Sequence, residues 1–375
     1  MPPMARLVGP RQRSRKKCLE RRGDGLLGFG AMDALISTVK EGNELDSRHV
    51  EAAAEFLLDE GADDGKKANF LKALAAKGET PGEIAAFVEA FLERSLSVEL
   101  AAGVSDGPTI DVCGTGGDGL NLFNVSTTSM FVIAAGGGTV VKHGNRGVTS
   151  KSGGADVLEA LGVDIEQGPE SFQETIRRAG VGFLYARKYH PAFKAVASVR
   201  AQLGKEGVKT IFNLVGPLLN PCRPQCQLVG VTERGMAPTF AEILQRLERE
   251  SVWAVHGQTA DGRGVDEVSL MGRTRICKSG ISQDHADEEV NPADFGLEVA
   301  QVEDLVGGDA KENGHILTNI LGGEEKGPKR DMVLMNAGAG LACAGLADDL
   351  GDGIERARGL IASGEAMERL EAMRG

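Results

Sequence analysis

Residues 109–119 read TIDVCGTGGDG, and residues 124–127 read NVST. The apolar run at the start of this stretch predicts a β-strand, and Asn124 is a residue type that often begins a helix. Glycines between the two elements let backbone amides close around an anion, and the start of a helix adds its positive dipole end. The stretch therefore predicts a strand, a phosphate-binding loop and a helix in direct succession.

A second loop of similar character lies in residues 139–146, which read TVVKHGNR. The first three residues predict another strand, and the loop after them carries lysine, histidine and arginine side chains. A further helix is expected near Ala155–Leu161, which completes a βαβ unit with both loops on it. Because an otherwise acidic chain concentrates glycines and cations here, we expect it to bind a phosphorylated ligand.

The bulk composition is that of a globular α/β protein. The 375 residues are 41% apolar, enough to bury a substantial core divided over two or three units. The 52 glycines and only 4% aromatic residues fit many tight strand-to-helix turns better than an all-β sandwich. A net charge of −12 argues against general binding of nucleic acid or anionic membranes, because that affinity depends on Lys and Arg that neutralise phosphates.

The cysteines and the apolar runs indicate the cellular compartment. Six cysteines are scattered along the chain, and the close pair Cys222 and Cys226 has no second pair or histidine at the spacing of a zinc site. We therefore expect reduced thiols in a cytoplasmic protein. The longest apolar run, Met130–Val141, contains three glycines and is too short to span a bilayer, so no transmembrane helix is expected.

Residues 1–31 differ from the rest of the chain in charge. They carry eight Arg or Lys against two acidic residues, a net charge of +6 that leaves −18 for the remainder. One interpretation is a basic arm that binds nucleic acid, or an organellar transit peptide; the other is a disordered extension, or a start assigned too early with Met32 as the true first residue. We favour the second interpretation because helical periodicity begins only after Met32.

From Met32 to about Ser97, apolar residues recur at three-to-four spacing, which predicts short helices. Thr80-Pro81-Gly82-Glu83 combines a capping box with proline at the first helical position, and Gly78 is placed to end the preceding helix. We expect a small helical domain over residues 32–104.

Beyond this segment, strand and helix patterns alternate, which predicts a mostly parallel sheet covered on both faces. A helix at about 190–208 is expected to leave the sheet and pack with the N-terminal helices, so that a cleft forms between two lobes. The α/β lobe would comprise residues 105–189 and 209–375, with a helical tail from Asn336 that breaks at Ser363-Gly364. The predicted strands are Ile110–Val112, Thr139–Lys142, Phe183–Ala186, Leu228–Val231, Ser251–Val255 and Glu267–Leu270.

Several residues further along the chain are candidates for chemistry. Asp266-Glu267 follows a polar loop at the predicted start of a strand, and Mg²⁺ is usually held by one or two carboxylates with ligand phosphates completing its shell. Acidic pairs are common on surfaces, so this interpretation depends on the two phosphate loops of the same sheet. Arg200 fits either a clamp for a substrate carboxylate or an ordinary surface arginine. His190 fits a pocket wall or a helix start, and Asn213–Pro221 a stiff structural loop.

Five motifs follow one another along the chain: Gly114–Asp118, Asn124–Thr127, Lys142–Arg146, Asn213–Pro221 and Asp266-Glu267. Their order and spacing resemble those of the anthranilate phosphoribosyltransferase family, from about Met32 to the C-terminus. The resemblance implies a small N-terminal helical lobe and a larger α/β lobe with a mostly parallel central sheet, the nucleoside phosphorylase and phosphoribosyltransferase type of fold.

The resemblance also implies a reaction and its site: transfer of a phosphoribosyl group from phosphoribosyl pyrophosphate (PRPP) to the amine of anthranilate, in tryptophan biosynthesis. It implies a homodimer and Mg²⁺ as cofactor, held by Ser126, Asp266 and Glu267. Anthranilate would contact Gly114, Asn145, Arg200 and, in the substrate channel, His190. The residues implied for PRPP binding are Gly114, Gly117, Asp118, Asn124, Val125, Ser126, Thr127, Lys142, His143, Gly144, Asn145, Arg146, Gly147, Val148, Thr149 and Ser150.

The chemistry agrees with this allocation of residues. Departure of pyrophosphate leaves a cationic, oxocarbenium-like ribose, so the main tasks are to neutralise the leaving group and to align the amine with the anomeric carbon. Mg²⁺ and the loop amides serve the first task, and Arg200 and Asn145 serve the second. The aromatic amine of anthranilate is neutral at pH 7, so no general base is assigned.

Four positions depart from the usual family pattern: Leu122, Gly147, Gly154 and Arg187. Leu122 and Gly154 stand where hydroxyl residues are common, and each removes a contact to phosphate worth about 1 kcal/mol. Gly147 replaces a small polar residue in the second loop. Arg187 replaces a common proline in the channel wall.

Two alternative functions belong to other classes. A pyrimidine-nucleoside phosphorylase shares the fold, but its phosphate loop would read Lys-His-Ser-Gly-Gly where this chain has Lys142–Arg146, and it needs no Asp266-Glu267. A catalytically silent relative that binds nucleic acid would lose the Gly114–Asp118 loop and carry a positive surface. This chain keeps the loop and is acidic, so we expect small phosphorylated and aromatic ligands rather than nucleic acid or membrane.

Overall fold

The computed structural model describes residues 29–147 and 151–375. The N-terminal part of the described chain is a bundle of four helices, and each of the last three is capped by a side chain at its start: Asp46, Asp63 and Thr80. The predicted capping box of Thr80 and Glu83 is present, and Gly78 ends the helix before it with a positive φ. The helices are α1 (Phe29–Lys40), α2 (Ser47–Leu58), α3 (Asp64–Lys77) and α4 (Pro81–Leu92).

The start of α1 corrects one expectation. The predicted basic extension ran to residue 31, whereas α1 already begins at Phe29. Residues 1–28 lie outside the described part of the chain.

The second part of the fold is a mixed sheet of eight strands: β1 (Thr109–Gly114), β2 (Thr139–Gly144), β3 (Val181–Tyr185), β4 (Cys226–Gly230), β5 (Ser251–Gln258), β6 (Gly264–Val265), β7 (Thr274–Ser279) and β8 (Ala286–Val290). Their order in the sheet is β3-β2-β1-β4-β5-β7-β8, with β6 paired to β5. The first five strands run parallel, and β6, β7 and β8 are antiparallel to their neighbours. The expected mostly parallel sheet is therefore confirmed.

Five of the six predicted strands are present, with ends shifted by up to three residues, but the strand predicted at Glu267–Leu270 is wrong. The backbone there is held by a side chain instead of a neighbouring strand: the Val268 N–H donates to Oδ1 of Asn336 at 2.8 Å, and Nδ2 of Asn336 donates to the Val268 carbonyl at 2.9 Å. Asp266-Glu267 thus lies in a loop directly after β6, and the chain re-enters the sheet only at β7.

Helices cover both faces of the sheet. Because side chains alternate along a strand, Leu228 and Trp253 enter one buried cluster and Val229 and Ala254 enter the other. The predicted break in the tail at Ser363-Gly364 separates the last two helices. The remaining helices are α5 (Val125–Ala135), α6 (Gly154–Ala160), α7 (Pro169–Ala179), α8 (Ala186–Tyr189), α9 (Ala197–Lys205), α10 (Ile211–Leu214), α11 (Met236–Arg246), α12 (Val302–Leu305), α13 (Ala310–Leu321), α14 (Pro328–Cys343), α15 (Leu350–Ala362) and α16 (Glu365–Arg374).

The segment predicted as one helix at about 190–208 is instead a 3-10 helix, Pro191–Val196, followed by α9. Val199 and Leu203 of α9 are buried in the same cluster as the apolar faces of α1–α4. The segment therefore packs with the N-terminal helices. That cluster continues onto α11 and one face of the sheet, so the bundle and the sheet share a core on this side.

The five cysteines from Cys113 to Cys343 are free thiols. Over residues 29–147 and 151–375, no helix combines the length and apolar character needed to cross a membrane.

Candidate active site

The carboxyl ends of the central parallel strands bring the first glycine loop and the loop after β6 together. The Thr115 N–H donates to the Gly230 carbonyl at 2.9 Å, and the Gly116 N–H donates to a carboxylate oxygen of Asp266 at 2.6 Å. Ligands of parallel α/β sheets bind at this edge. Two segments 150 residues apart in sequence thus form one wall of a candidate site.

Glycine is required at the end of β1. A Cβ atom at Gly114 would overlap the carboxylate of Asp266, because the two segments approach closely. Gly116, Gly117 and Gly119 have positive φ angles, a backbone conformation that glycine adopts without strain and that turns the chain sharply after β1. Asp118 closes the turn by accepting the Leu120 N–H at 3.0 Å.

Three carboxyl groups share this edge. Burial and the nearby charge of Asp118 raise the pKa of Asp266 to about 6. Burial and the charge of Asp266 raise the pKa of Glu267, while Lys142 and the backbone N–H of Ser126 favour its charged form. Burial also raises the pKa of Asp118. The site therefore holds mutually repelling acids in a poorly solvated position.

Lys142 lies beneath the same site and is only 4% exposed. Its Nζ donates to the Val112 carbonyl and, at 3.1 Å, to the hydroxyl of Ser126. Ser126 stands in the first turn of α5, so the lysine ties β2 to β1 and to the start of that helix. Its role in the structure is internal: it orients the Ser126 hydroxyl and offsets negative charge.

The donor set fits a divalent cation that prefers oxygen. Asp266, Glu267 and the Ser126 hydroxyl supply oxygen ligands, and the repulsion between the carboxyls is what a cation would relieve. Across the described residues, no cluster of three or more His, Cys, Asp or Glu side chains is arranged to enclose a metal ion. An ion at this position would therefore need phosphate oxygens of a ligand, which is typical of Mg²⁺.

The second loop is closed by charged side chains of α6. Both guanidinium terminal nitrogens of Arg146 donate to Glu159, at 2.7 and 3.0 Å, and one also donates to Asp156 at 3.0 Å. Asp156 in turn accepts the N–H groups of Gly147 and Gly153. Arg146, predicted to hold PRPP, thus braces the loop in this structure.

The second loop also contains Asn145 and the predicted site residues at 148–150. Asn145 is exposed, and its Oδ1 accepts the Arg146 N–H at 2.9 Å. The predicted site residues Val148, Thr149 and Ser150 lie outside the described part of the chain.

An aromatic series leads from the donor loops to the segment before α9. The rings of His143 and His190 are 5.2 Å apart, that of His190 is 5.4 Å from Phe193, and that of Phe193 is 5.5 Å from Phe212. The guanidinium of Arg200 lies 5.1 Å from the centre of the Phe212 ring. Residues far apart in sequence thus form one continuous series of rings, here called the aromatic surface: His143, His190, Phe193 and Phe212, with Arg200 at its end.

The two histidines of this surface are neutral at pH 7. Burial lowers the pKa of His190 to about 4, although its Nε2 contacts the Leu219 carbonyl at 2.8 Å. Burial and the neighbouring His190 lower the pKa of His143. Nε2 of His143 and Nδ1 of His190 are buried and have no hydrogen-bond partner among the described residues.

Arg200 is available to an anion. It forms no ion pair with a carboxylate of the described residues, and partial burial lowers the pKa of its guanidinium. The side chain is exposed, so an anion can reach the guanidinium, and a bidentate contact with a carboxylate is open to it. The carboxylate clamp stays a prediction for Arg200, beside the alternative of a surface arginine.

The departures from the family pattern have local explanations. Leu122 is half-buried against the core and forms an antiparallel bridge with Val306, which anchors the first loop to that segment. A Cβ at Gly154 would lie 2.8 Å from Oγ1 of Thr127, so a serine there would require Thr127 to move. The Gly147 N–H donates to a carboxylate oxygen of Asp156 at 2.8 Å, and Arg187 is exposed on α8.

Sequence reasoning missed one polar residue that joins the two loops. Nδ2 of Asn313, in α13, donates to Oδ1 of Asn124 at 2.8 Å and to Oγ of Ser152 at 2.9 Å, and Oδ1 of Asn313 accepts the Gly308 N–H at 2.8 Å. Asn124 directly precedes α5, so the predicted helix opening is present, although its side chain makes no capping hydrogen bond there. A lone asparagine on a helix gives no sequence signal of such a role.

Two family models match the two parts of this fold. The helical bundle domain of a glycosyl transferase family matches residues 33–95, and the a/b domain of the same family matches residues 106–367. Fold and site together define a transferase of this family, with phosphate loops and carboxylates at one sheet edge.

Comparison with individual relatives narrows the class of transferase. The chain is 43% identical over 338 residues to the anthranilate phosphoribosyltransferase of Anaeromyxobacter sp. (strain K), covering 90% of this chain and 96% of the relative. It therefore belongs to the anthranilate phosphoribosyltransferase family.

Solved structures agree with this family assignment. The crystal structure of the Thermus thermophilus enzyme has a TM-score of 0.81 at 39% identity, covering 91% of this chain and 99% of that one. The Saccharomyces cerevisiae enzyme in complex with PRPP and Mg has a TM-score of 0.80 at 27% identity, covering 92% and 97%. The yeast enzyme has also been solved in complex with 4-fluoroanthranilate, with a TM-score of 0.78 at 26% identity and coverage of 92% and 97%.

Proposed function

We propose that this chain transfers the phosphoribosyl group of PRPP to the amine of anthranilate, giving N-(5-phosphoribosyl)anthranilate and pyrophosphate in tryptophan biosynthesis. The observation that carries the proposal is the meeting of the glycine loop with Asp266 at 2.6 Å, beside Glu267 and Ser126. The proposal assigns the Mg²⁺-bound pyrophosphate to the space between this loop and the paired carboxylates.

The donor half of the site is assigned to the two loops and the start of α5. The amides of residues 117–119 and the N-terminus of α5 would bind phosphate oxygens, since the Thr115 and Gly116 amides already donate to Gly230 and Asp266. Ser126, Asp266 and Glu267 would hold Mg²⁺, which when bound neutralises the departing pyrophosphate. Lys142 keeps the Ser126 hydroxyl in place through its 3.1 Å hydrogen bond.

The acceptor half is assigned to the aromatic surface. Arg200 would bind the carboxylate of anthranilate, and Asn145 would orient the ring near the second loop. The neutral ring of His190 lines the path to the donor and adds no charge to it. Because the amine of anthranilate is already neutral, alignment rather than deprotonation is the main task, and no general base is assigned.

The assembly and location of the protein are further proposals. We infer a homodimer joined through the helical part, acting in the cytoplasm. Light scattering should give about twice the chain mass of 39.4 kDa. A mass of one chain at micromolar concentration would contradict the dimer.

We also propose that the division into a helical lobe (residues 32–104 with about 190–208) and an α/β lobe (residues 105–189 and 209–375) matters for turnover. The acceptor residue Arg200 and the donor loops lie on different lobes in this division, so closure would bring the substrates together. Small-angle scattering should show a more compact particle with PRPP, Mg²⁺ and anthranilate. An unchanged profile with all three would count against closure.

Product stoichiometry tests the reaction itself. Each anthranilate consumed should release one pyrophosphate, and only when Mg²⁺ is present. Cleavage of thymidine by inorganic phosphate, with no consumption of anthranilate, would instead indicate a nucleoside phosphorylase. A gel shift of DNA at physiological salt without either activity would indicate a nucleic-acid-binding protein.

A further inference from the structure

The ladder between β1 and β2 ends early. The two strands pair at Thr109 with Thr139 and at Ile110 with Val140, yet β1 continues to Gly114 and β2 to Gly144. On their other sides, β1 pairs with β4 and β2 pairs with β3 to the ends of the strands. The sheet is therefore open between β1 and β2 over their carboxyl-terminal halves.

Side chains take the places of the missing ladder bonds. In a parallel ladder continued in the same register, the His143 N–H would donate to the Val112 carbonyl and the Val141 carbonyl would accept from the N–H of residue 112. Instead, the His143 N–H donates to Oδ1 of Asp111 at 3.2 Å. Nδ2 of Asn220 donates to the Val141 carbonyl at 2.6 Å.

The third unpaired ladder group, the carbonyl of Val112, accepts a hydrogen bond from Nζ of Lys142. Three of the four backbone groups of the two missing ladder bonds are thus bonded to side chains, which lowers the cost of burying them. The separation of β1 and β2 is a stable feature, maintained by a lysine, an aspartate and an asparagine inserted between them.

Asp111 and Asn220 form the central contact of this insertion. Nδ2 of Asn220 donates to Oδ2 of Asp111 at 2.8 Å, and both residues are fully buried. Oδ1 of Asn220 accepts the Cys222 N–H at 3.0 Å. Asn220 is therefore fixed by three partners: β1 through Asp111, β2 through Val141, and its own loop.

The opening lies where the two phosphate loops leave the sheet, after Gly114 and after Gly144. The distance between β1 and β2 at this point determines the distance between the loops. The residue before Asn220 also reaches the acceptor side, because the carbonyl of Leu219 contacts Nε2 of His190 at 2.8 Å. One short loop thus contacts both donor strands and the aromatic surface.

We propose that Asp111 and Asn220 are a positioning pair, which holds the two phosphate loops at the separation that PRPP requires and links that separation to the acceptor surface. The inference rests on the function proposed above. Neither side chain is assigned a contact with a substrate. Both act through the strands that carry the loops.

The main test replaces Asn220 with alanine and Asp111 with asparagine, singly. Asn220→Ala removes the donor that spans both strands, and the isosteric Asp111→Asn leaves one of the two N–H groups without an acceptor. Misplacement of reacting groups by about 1 Å costs roughly 100-fold in rate, so we expect kcat/KM for PRPP to fall by about that factor in Asn220→Ala. KM for PRPP should rise and kcat should fall together, at a temperature where each variant is folded.

A matched control separates positioning from loss of stability. Ser279 is also fully buried, and its hydroxyl donates to the Ala241 carbonyl at 2.7 Å on a strand remote from both loops. Ser279→Ala should lower Tm while leaving both KM values and kcat within twofold of wild type. If Ser279→Ala reduced kcat/KM as much as Asn220→Ala at an equal loss of Tm, the pair would be merely structural.

A charge swap adds a rescue experiment. Asn220→Asp places two carboxylates against each other and should be the most damaging single change. In the double variant Asp111→Asn with Asn220→Asp, the amide of residue 111 can donate to the carboxylate of residue 220 and its carbonyl can accept the His143 N–H. The Val141 carbonyl still lacks the donor that Asn220 supplied, so the rescue should stop short of wild type. We expect kcat/KM at least tenfold above that of Asn220→Asp alone.

The outcomes are decisive in either direction. Wild-type turnover of anthranilate with PRPP establishes the reaction independently, so failure of the positioning pair is distinguishable from failure of the proposed function. Kinetic constants of Asn220→Ala and Asp111→Asn within twofold of wild type would overturn the inference. So would a failure of both variants to fold, because the pair would then serve stability alone.

Discussion

At the scale of single residues, Arg200 is the residue proposed to bind the carboxylate of the acceptor. It has no ion pair among the described residues and lies against the ring of Phe212. Arg200→Ala should raise KM for anthranilate by roughly 10- to 100-fold, since a hydrogen bond to a charged group is worth about 1.5–3 kcal/mol, and should leave KM for PRPP nearly unchanged.

Arg246→Ala is the matched control for Arg200. Arg246 is an exposed arginine paired with Glu242 on the same helix, and its removal should not affect either KM. Equal effects of the two arginine variants on anthranilate, or an effect of Arg200→Ala on PRPP alone, would contradict the acceptor assignment.

His190 makes folding depend on pH. Its pKa is lowered to about 4 in the folded protein, against about 6.5 in the unfolded chain. Between these values the unfolded chain binds a proton that the folded chain does not, so the free energy of unfolding falls as pH drops from 6.5 toward 4. His190→Gln should reduce this loss by on the order of 3 kcal/mol, measured by urea unfolding at pH 7 and pH 4. Identical losses in wild type and variant would refute the assignment.

Gly114 tests how closely β1 approaches the loop that carries the carboxylates. An added Cβ overlaps the Asp266 carboxylate, so Gly114→Ala should displace that group and lower kcat about 100-fold, with a stability loss of roughly 1–3 kcal/mol from overpacking. Gly359→Ala is the control, because nothing lies within 4 Å of a Cβ there and the position is helical. Near-wild-type kcat in Gly114→Ala would show that the two segments separate easily.

At the scale of elements, the loop after β6 carries the proposed metal ligands Asp266 and Glu267. The double variant Asp266→Asn with Glu267→Gln keeps the shapes and removes two repelling charges from a buried position. It should abolish turnover and the rise in Tm that Mg²⁺ with PRPP gives the wild type. Without metal it should be no less stable than wild type. Full activity in the double variant would show that the metal site is elsewhere.

The elements also show what the sequence could and could not predict. The glycine loop, α5, β2 and the capping box of α4 follow from local signals, since residue type fixes the turn or the cap. The strand predicted at Glu267–Leu270 was wrong because Asn336, 68 residues further on, takes the backbone bonds of Val268. The contacts of Arg146 with α6 and of Asn313 with Asn124 likewise depend on packing, which a single sequence does not display.

At the scale of the whole molecule, an acidic chain places individual cationic side chains at its proposed site. The net charge of −12 opposes nonspecific association with polyanions, while Lys142 and Arg200 remain at the sheet edge and the aromatic surface. Arg200 lies on the segment packed with the helical bundle, and Asp266 lies in the loop after β6. The proposed bisubstrate site would therefore require both parts of the fold.

The most direct test of the proposed reaction follows the fluorescence of anthranilate. Mixed with the protein, PRPP and Mg²⁺, anthranilate should lose its fluorescence over time, with no loss when PRPP or Mg²⁺ is omitted or when Asp266→Asn with Glu267→Gln replaces the wild type. Constant fluorescence with the complete mixture and folded wild-type protein would contradict the central claim that this chain is the transferase its fold and site describe.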